Sequence, residues 1–384
     1  MAKIANGQLK DCQLKPTFAT MENSGKRVVL YGVLNWGLGH ATRSVSIINA
    51  LRQNGFEVVV ASDGQALKYL IEVFPDAETH ELPGYNIKYG KGSVQLFKLA
   101  MQLPRVALVS RKEKGILKKL VKRYKPCGVI SDNRLGWYSK NIPSVYITHQ
   151  LHIMMPFNTN WASRLHHIFI NRFAECWVPD FADQHNLSGE LTHKLSPKVP
   201  VQFIGPQSQF MDDEKLRNPE KKYDLTVILS GPEPQRTLLE KKLWQELKSR
   251  QGKFLFIRGT ENGDEILRTD NIEVIELANA QQVKAAILAS GMVISRSGYS
   301  SIMDYYFLGN QALLIPTPGQ PEQEYLARYQ LHKGRFGYTA QDYINLDEDL
   351  AKANEYKGFK KEENSLTDWE NLFGLFEGKR KGGA

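Results

Sequence analysis

The chain has 384 residues, 42% of them apolar and 24% charged, with a formal net charge of +9. At ~150 residues per domain this predicts two domains, and the composition is that of a folded, water-soluble protein rather than a disordered or fibrous one. No run reaches the ~18 apolar residues of a spanning helix and the N-terminus lacks the apolar core of a secretory signal, so a cytoplasmic location is expected. Three cysteines, Cys12, Cys127 and Cys176, are too widely spaced for a disulfide framework or a cysteine zinc site. The positive charge calls for an anionic partner, a demand that nucleic acid, acidic lipid and nucleotide diphosphate would all meet.

Residues 1–25 carry no sustained period and read as a lead-in segment. From Arg27, RVVLYGVL reads as a strand, NWGLGH as a glycine-rich turn, ATRSVSIINALRQNG as a helix stopped by Gly55, and FEVVVAS as a second strand. This βαβ unit, with nearly continuous apolar strands, predicts a parallel sheet covered on both faces. A helical stretch near 94–124 follows, then the strands CGVIS and PSVYIT, a helix over 161–173, and the strands ECWVP and VQFIG. Residues 26–205 are therefore expected to form one Rossmann-like domain. Residues 206–222, polar, proline-bearing and aperiodic, read as a linker.

The alternation restarts with DLTVILS and runs through QALLIP and EQEYLARYQLHKG, which predicts a second Rossmann-like domain over 223–360. Within 361–384 the amphipathic segment SLTDWENLFGLFEG is expected to be helical and to return to the first domain. Two such domains face each other across a cleft at the carboxyl ends of their strands, where open α/β sheets bind ligands. In the first loop, Gly37 and Gly39 precede His40 at a helix start, and glycine backbone with a helix N-terminus suits an anion. The spacing is not GxGxxG, and Asp63 lies past the second strand, so a dinucleotide site is not expected.

The segment SRSGYSSIMDYYFLGNQALLIPTPGQPEQEYLARYQLHKG, residues 295–334, resembles the donor-binding signature of GT-B glycosyltransferases, family 28 above all. That family holds the lipid I N-acetylglucosaminyltransferase of peptidoglycan synthesis and the plant monogalactosyldiacylglycerol synthases. The resemblance implies a nucleotide sugar against the C-terminal domain and an acceptor against the N-terminal one. Ser297 and Gly298, just before a helix, can hold a diphosphate without a metal, and Arg296 would either neutralise phosphate or pair with a surface carboxylate. Asp304 matches the family's acidic residue on the ribose hydroxyls, and Gln323 and Glu324 match its pair on the donor sugar. The loop SGPEPQR stands where relatives carry a glycine-rich phosphate loop. Pro232 and Pro234 each remove a backbone donor there, leaving Ser230, Gly231 and Glu233 as cleft residues.

Glycosyl transfer needs a base that takes the acceptor's proton, best with a pKa near neutrality. His40 resembles the base histidine of several inverting GT-B enzymes, with Asp132 in ISDNR and His149 in YITHQLH as rivals at other strand ends. No metal is expected, because His149, His152, His166 and His167 come without an HExxH pattern or carboxylate partner. The acidic run at 347–349 reads as a helix start. Residues 111–125, RKEKGILKKLVKRYK, interleave apolar residues with eight basic ones. They read either as a helix docking on an anionic membrane or as a core-facing helix with a solvated face. No RNA or DNA module surrounds them, so nucleic acid is not an expected partner.

The expectation is an inverting, metal-independent transferase that moves a hexose from a UDP-sugar co-substrate and uses no other cofactor. Its acceptor is unidentified, with a lipid or cell-envelope glycan precursor as the first class to test, which would make the protein cytoplasmic or peripheral on the inner membrane face. The alternatives are a nucleotide-sugar binder that does not transfer and a UDP-sugar epimerase of the same fold.

Overall fold

A computed structural model describes residues 26–85, 95–155, 159–211, 220–260, 269–359 and 367–379. The lead-in segment with Cys12, the second half of the expected linker from 212 to 219, and residues 360–366 and 380–384 lie outside these. The first half of the chain runs β1 (Arg27–Val33), α1 (Gly39–Gln53), β2 (Phe56–Ser62), α2 (Gly64–Val73), β3 (Thr79–Glu81), α3 (Gln95–Tyr124) and β4 (Gly128–Asp132). It continues with β5 (Ser144–Ile147), α4 (Thr159–Ile170), β6 (Glu175–Val178), α5 (Glu190–His193) and β7 (Val201–Phe203). Its strands form one sheet in the order β3-β2-β1-β4-β5-β6-β7, every pair parallel.

The second half runs β8 (Tyr223–Ile228), α6 (Gln235–Leu247), β9 (Phe254–Ile257), β10 (Ile272–Ile275), α7 (Ala280–Leu288), β11 (Ser290–Ser295) and α8 (Tyr299–Leu308). Then come β12 (Gln311–Leu314), α9 (Pro321–His332), β13 (Gly337–Tyr338), α10 (Leu346–Ala353) and α11 (Trp369–Phe373). The second sheet, β10-β9-β8-β11-β12-β13, is also parallel throughout. Two parallel sheets with interleaved helices make this a two-domain α/β protein, as the alternation of the sequence predicts. Strands such as β4 and β9, buried at every position, need cover on both faces, and the helices supply it.

One stretch departs from its sequence reading and another follows one of its two alternatives, the core-facing helix. The first third of the expected linker is packed rather than free: Gln207 and Ser208 are buried, the Ser46 hydroxyl donates to Gln207 at 2.8 Å, and the Ser208 hydroxyl donates to Asp304 at 2.5 Å. Polar residues here satisfy groups on both halves of the molecule, which hydropathy cannot distinguish from solvation. The basic helix α3 buries Val109, Glu113, Leu117 and Leu120 along one face, while its apolar neighbours Ile116, Val121 and Tyr124 pack on the same core. Its apolar stripe therefore faces the sheet and its cationic face meets solvent, together with Leu103 and Leu108 in its first half.

The aromatic segment around α11 packs on the first sheet. Leu372, Phe373, Leu375 and Phe376 join the core built from β1, β2 and α1, where Phe373 and Phe376 meet Phe56 and Trp177 edge-on or tilted. An Arg27–Glu377 ion pair ties this segment to the start of β1.

Candidate active site

β1 and β4 are neighbours in register, Val33 opposite Asp132, and β5 continues beside them with Ile147 opposite Asp132. The loop leading into α1, the end of β4 and the residues after β5 therefore emerge side by side, at the carboxyl edge where open sheets bind ligands. His40, Asp132 and His149 meet there. The His40 Nδ1 lies 2.7 Å from an Asp132 carboxylate oxygen. Arg43, one turn after His40 on α1, lies between all three: its Nε donates to Asp132 Oδ2 at 2.7 Å, its Nη2 donates to Asp132 Oδ1, and its Nη1 lies 2.8 Å from His149 Nδ1. The Arg43 Nη2 is also 2.8 Å from His40 Nδ1.

The C-terminal half closes this cluster from the other side. Glu322, at the start of α9, lies 2.8 Å from His149 Nε2 and accepts from the Gln150 amide. The Tyr299 ring stacks on His149 with centroids 4.4 Å apart, and its hydroxyl donates to the Pro179 carbonyl at 2.7 Å. α1 and α8 meet at their N-terminal ends, where a Cβ on Gly39 would stand 2.7 Å from the Ser300 hydroxyl. Both helices begin without a side-chain cap and without an acidic residue in the first turn. Two uncapped helix N-termini and a buried guanidinium thus set positive potential against the Asp132 and Glu322 carboxylates at the seam.

That field sets the protonation of the cluster. Burial works against the charge of Asp132, but Arg43 and His40 hold its carboxyl well below the usual carboxylate range. Burial lowers the His40 pKa, Arg43 lowers it further, and Asp132 opposes them without reversing the shift, so His40 is neutral at neutral pH. For Glu322 burial pushes upward, while His149 next to it holds the carboxyl below the ordinary glutamate range.

Donor-side residues gather around the start of α8, with changes to their expected roles. Ser297 is buried and its hydroxyl donates to the Gln323 carbonyl at 2.7 Å, while Gly298 is the N-cap of α8. Gln323 accepts from the Thr317 amide at 2.9 Å and Glu324 from the Gly319 amide at 3.0 Å, so both side chains brace the loop before α9 and the neighbouring Glu322 is the one at the seam. Arg296 is turned into the core, where Nη1 and Nη2 donate to the carbonyls of Ile315, Pro316 and Gln235 and to the Gln341 side chain. Facing only uncharged acceptors, its guanidinium is pushed down to about 10 by burial, and it does not reach the phosphate position expected of it. Asp304 holds Ser208 in the seam, and burial raises its pKa to about 7.

Ser230 and Gly231 are exposed on their loop, with Gly231 at φ +100, and Glu233 bonds Arg236 and the Thr237 amide at the start of α6. Gly37 takes φ +73, the left-handed conformation that glycine adopts without strain. The remaining histidines are engaged singly: His152 with Ser163, His166 with Tyr146 and the Gln150 carbonyl, His167 with the Leu151 carbonyl. Among the described residues, no group of histidine, cysteine and carboxylate side chains has the geometry of a metal site.

Arg43, Gln150 and Glu322 are members of this cluster that the sequence reading passed over. Arg43 sits at i+3 from His40, on the same helix face, and that spacing was a signal. Glu322 stands beside Gln323 in PEQE, one residue before the pair expected to act.

Residues 27–154 match the Glycosyl transferase family 1 domain, and residues 234–369 match the Glycosyltransferase family 28 C-terminal domain. The chain is a GT-B glycosyltransferase, family 28-like. No curated relative matches the sequence. Among solved structures, Arabidopsis thaliana UGT89C1 complexed with UDP-L-rhamnose is 16% identical over 93% of this chain and 100% of that one, with a TM-score of 0.62. The spinosyn rhamnosyltransferase SpnG complexed with thymidine diphosphate is 15% identical over 92% and 96%, at 0.58. MurG of Acinetobacter baumannii is 12% identical over 86% and 92%, at 0.51. At these identities the likeness shows a shared GT-B fold. Both family matches are to transferases, which does not favour the epimerase or the non-transferring reading of this glycosyltransferase. Among its described residues no helix is long and apolar enough to cross a membrane.

Proposed function

We propose that this chain transfers a hexose with inversion from a nucleotide sugar, UDP-linked first among the candidates, with His40 as the general base. The observation that carries the reading is the His40–Asp132 pair. An ionised carboxylate only accepts, so the proton on this neutral imidazole sits on Nδ1 and the Nε2 lone pair is free. No partner of Nε2 is found among the described residues. In the reaction, the acceptor hydroxyl gives its proton to His40 Nε2 as its oxygen bonds to the anomeric carbon. The bond from that carbon to the phosphate oxygen breaks on the opposite face, and the nucleoside diphosphate leaves with the electron pair. Amides at the start of α8, with Ser297 and Gly298, are proposed to hold that developing charge without a metal.

On the donor, Asp304 is proposed to accept the ribose hydroxyls, with Gln323 and Glu324 on the transferred sugar as the resemblance implies. The relatives crystallised with UDP-L-rhamnose and thymidine diphosphate support a nucleotide-sugar donor. An anionic membrane surface is the partner we propose for the cationic face of α3, which suits a lipid acceptor. Screening a nucleotide-sugar panel by thermal shift, then assaying the best binder for transfer and hydrolysis, tests the function. Stabilisation by a UDP-sugar and turnover that persists in EDTA are expected. Turnover that vanishes in EDTA and returns with Mg²⁺ or Mn²⁺ would overturn the metal-free reading.

A further inference from the structure

Arg43 is the least expected member of the cluster: a guanidinium 3% exposed, sharing its donors among one carboxylate and two imidazoles. We infer that Arg43 is a positioning residue that, by facing His149 itself and by holding the Asp132 carboxylate against His40, keeps the two histidines in opposite tautomers and leaves His40 as the one imidazole of the pair with a free Nε2.

Arginine has five N–H donors and no acceptor. The His149 Nδ1, 2.8 Å from Arg43 Nη1, must therefore present its lone pair, and the ring proton sits on Nε2, from which it is donated to Glu322. His149 is left with no lone pair for a substrate. At His40 the same guanidinium also faces Nδ1, at 2.8 Å, but its Nη2 already donates to Asp132 Oδ1, which lies 2.7 Å from that nitrogen. A lone pair on His40 Nδ1 would point at a carboxylate oxygen, two acceptors face to face, so the proton sits on Nδ1 and Nε2 is free. The two histidines thus carry opposite tautomers because Arg43 alone faces the Nδ1 of His149, whereas at the Nδ1 of His40 it stands beside the Asp132 carboxylate that it binds.

A lysine could not do this, since a single ammonium cannot bridge Asp132 and His149 in the planar geometry of the fork. Charge has a second effect. The groups that act on His40 are Arg43 on its own helix, Asp132 from β4, His149 after β5 and Glu322 from α9, while Tyr31 from β1 and Tyr299 from α8 act on Arg43. Of these, Arg43 is the charge that favours the neutral imidazole most. The inference rests on the glycosyl-transfer reading for its catalytic meaning only, because tautomers are measurable without substrate.

Nitrogen NMR of histidine-labelled protein is the test, with the nine histidines assigned by single substitutions. In the wild-type chain at neutral pH, His40 is expected neutral with its proton on Nδ1, and His149 neutral with its proton on Nε2. The same tautomer at both rings, or a charged His149, overturns the inference whatever the activity of the protein. In Arg43→Met the His40 pKa is expected to rise by ~1–3 units, as removal of a nearby like charge requires, and the His149 tautomer to become mixed. In Arg43→Lys the His40 titration should stay near that of the wild type while the His149 tautomer still relaxes. A folded Arg43→Met protein with wild-type tautomers and titration would reduce Arg43 to a structural ion-pair partner. If Arg43→Met does not fold, the wild-type tautomers and the lysine variant still decide the outcome.

Discussion

Two titrating residues respond to pH in opposite directions, and the signs can be worked out separately. His40 is held neutral in the folded chain but takes up a proton near ~6.5 when unfolded. The unfolded state then binds more protons, so stability falls as pH drops below ~6.5, and Asp132, held low, adds a further loss below ~4. Asp304 behaves inversely, because its folded pKa of about 7 lies above the ~3.9 of an unfolded aspartate. Its penalty is absent below ~4, grows as pH rises, and is complete above about 7. Asp304→Asn removes that ionisation, so its melting temperature should exceed that of the wild type at pH 8 and approach it at pH 4. A difference that does not change with pH would show that Asp304 is not held in a desolvated seam. For chemistry, His40→Ala is expected to lower turnover by ~100-fold or more while calorimetric donor affinity changes little. Near-normal turnover would move the base elsewhere.

At the scale of elements, α3 is held to the sheet by a buried ion network. The Arg134 Nε donates to Glu113 at 2.7 Å and its other nitrogens to Asp63 at 2.9 and 3.0 Å, while Tyr85 donates to Glu113 at 2.6 Å. Glu113→Ala leaves Arg134 paired with Asp63 but takes an acceptor from Arg134 Nε, the Tyr85 hydroxyl and the Gly136 amide, so it should cost ~1–3 kcal/mol in denaturant unfolding. A loss below ~1 kcal/mol, the size of a surface pair, would contradict the burial of the network. The opposite face of α3 is cationic and exposed, and salt-sensitive binding to anionic vesicles is expected of the whole protein. Equal binding to neutral and anionic vesicles at low salt would leave α3 an ordinary solvated helix.

Elements also differ in how well their sequence declared them. Long, continuously apolar strands such as β1 and β2 and the helix between them are legible because burial on both faces leaves no ambiguity of period. β3 and β13, three and two residues long at sheet edges, carry too little pattern to register, and α5, at four residues, carries less than one repeat. In the site, His40 was legible at the start of the helix after β1, and Asp132 and His149 at or just after strand ends. Arg43 and Glu322 were not, because their roles depend on partners 89, 106 and 173 residues away.

Across the whole molecule the two halves meet through a buried apolar cluster, in which Leu187 and Leu191 pack with Tyr299, Ile302, Met303 and Leu326, and through polar contacts around it. Gln330 donates to the Leu187 carbonyl at 2.6 Å, Arg335 to that of Asn186 at 3.0 Å, and Ser208 to Asp304, besides the Glu322–His149 contact. A second hydrophobic anchor lies within the first half, where the aromatic segment 369–376 completes the core of the first sheet. Deleting residues 367–384 should therefore unfold the first half at lower denaturant while the second keeps its protection in hydrogen exchange. Equal protection of both halves after the deletion would show that the segment is dispensable.

The same feature has a meaning for how the chain is born. Phe373 and Phe376 leave the ribosome only after every strand of the second sheet, yet they fill the core of the first. The half that is translated earliest must wait, at ordinary synthesis rates on the order of ten to thirty seconds, with an apolar groove open beside Phe56 and Trp177. During that interval the nascent chain is a natural client for a chaperone, and the protein reaches its final form by threading its tail into a structure begun long before.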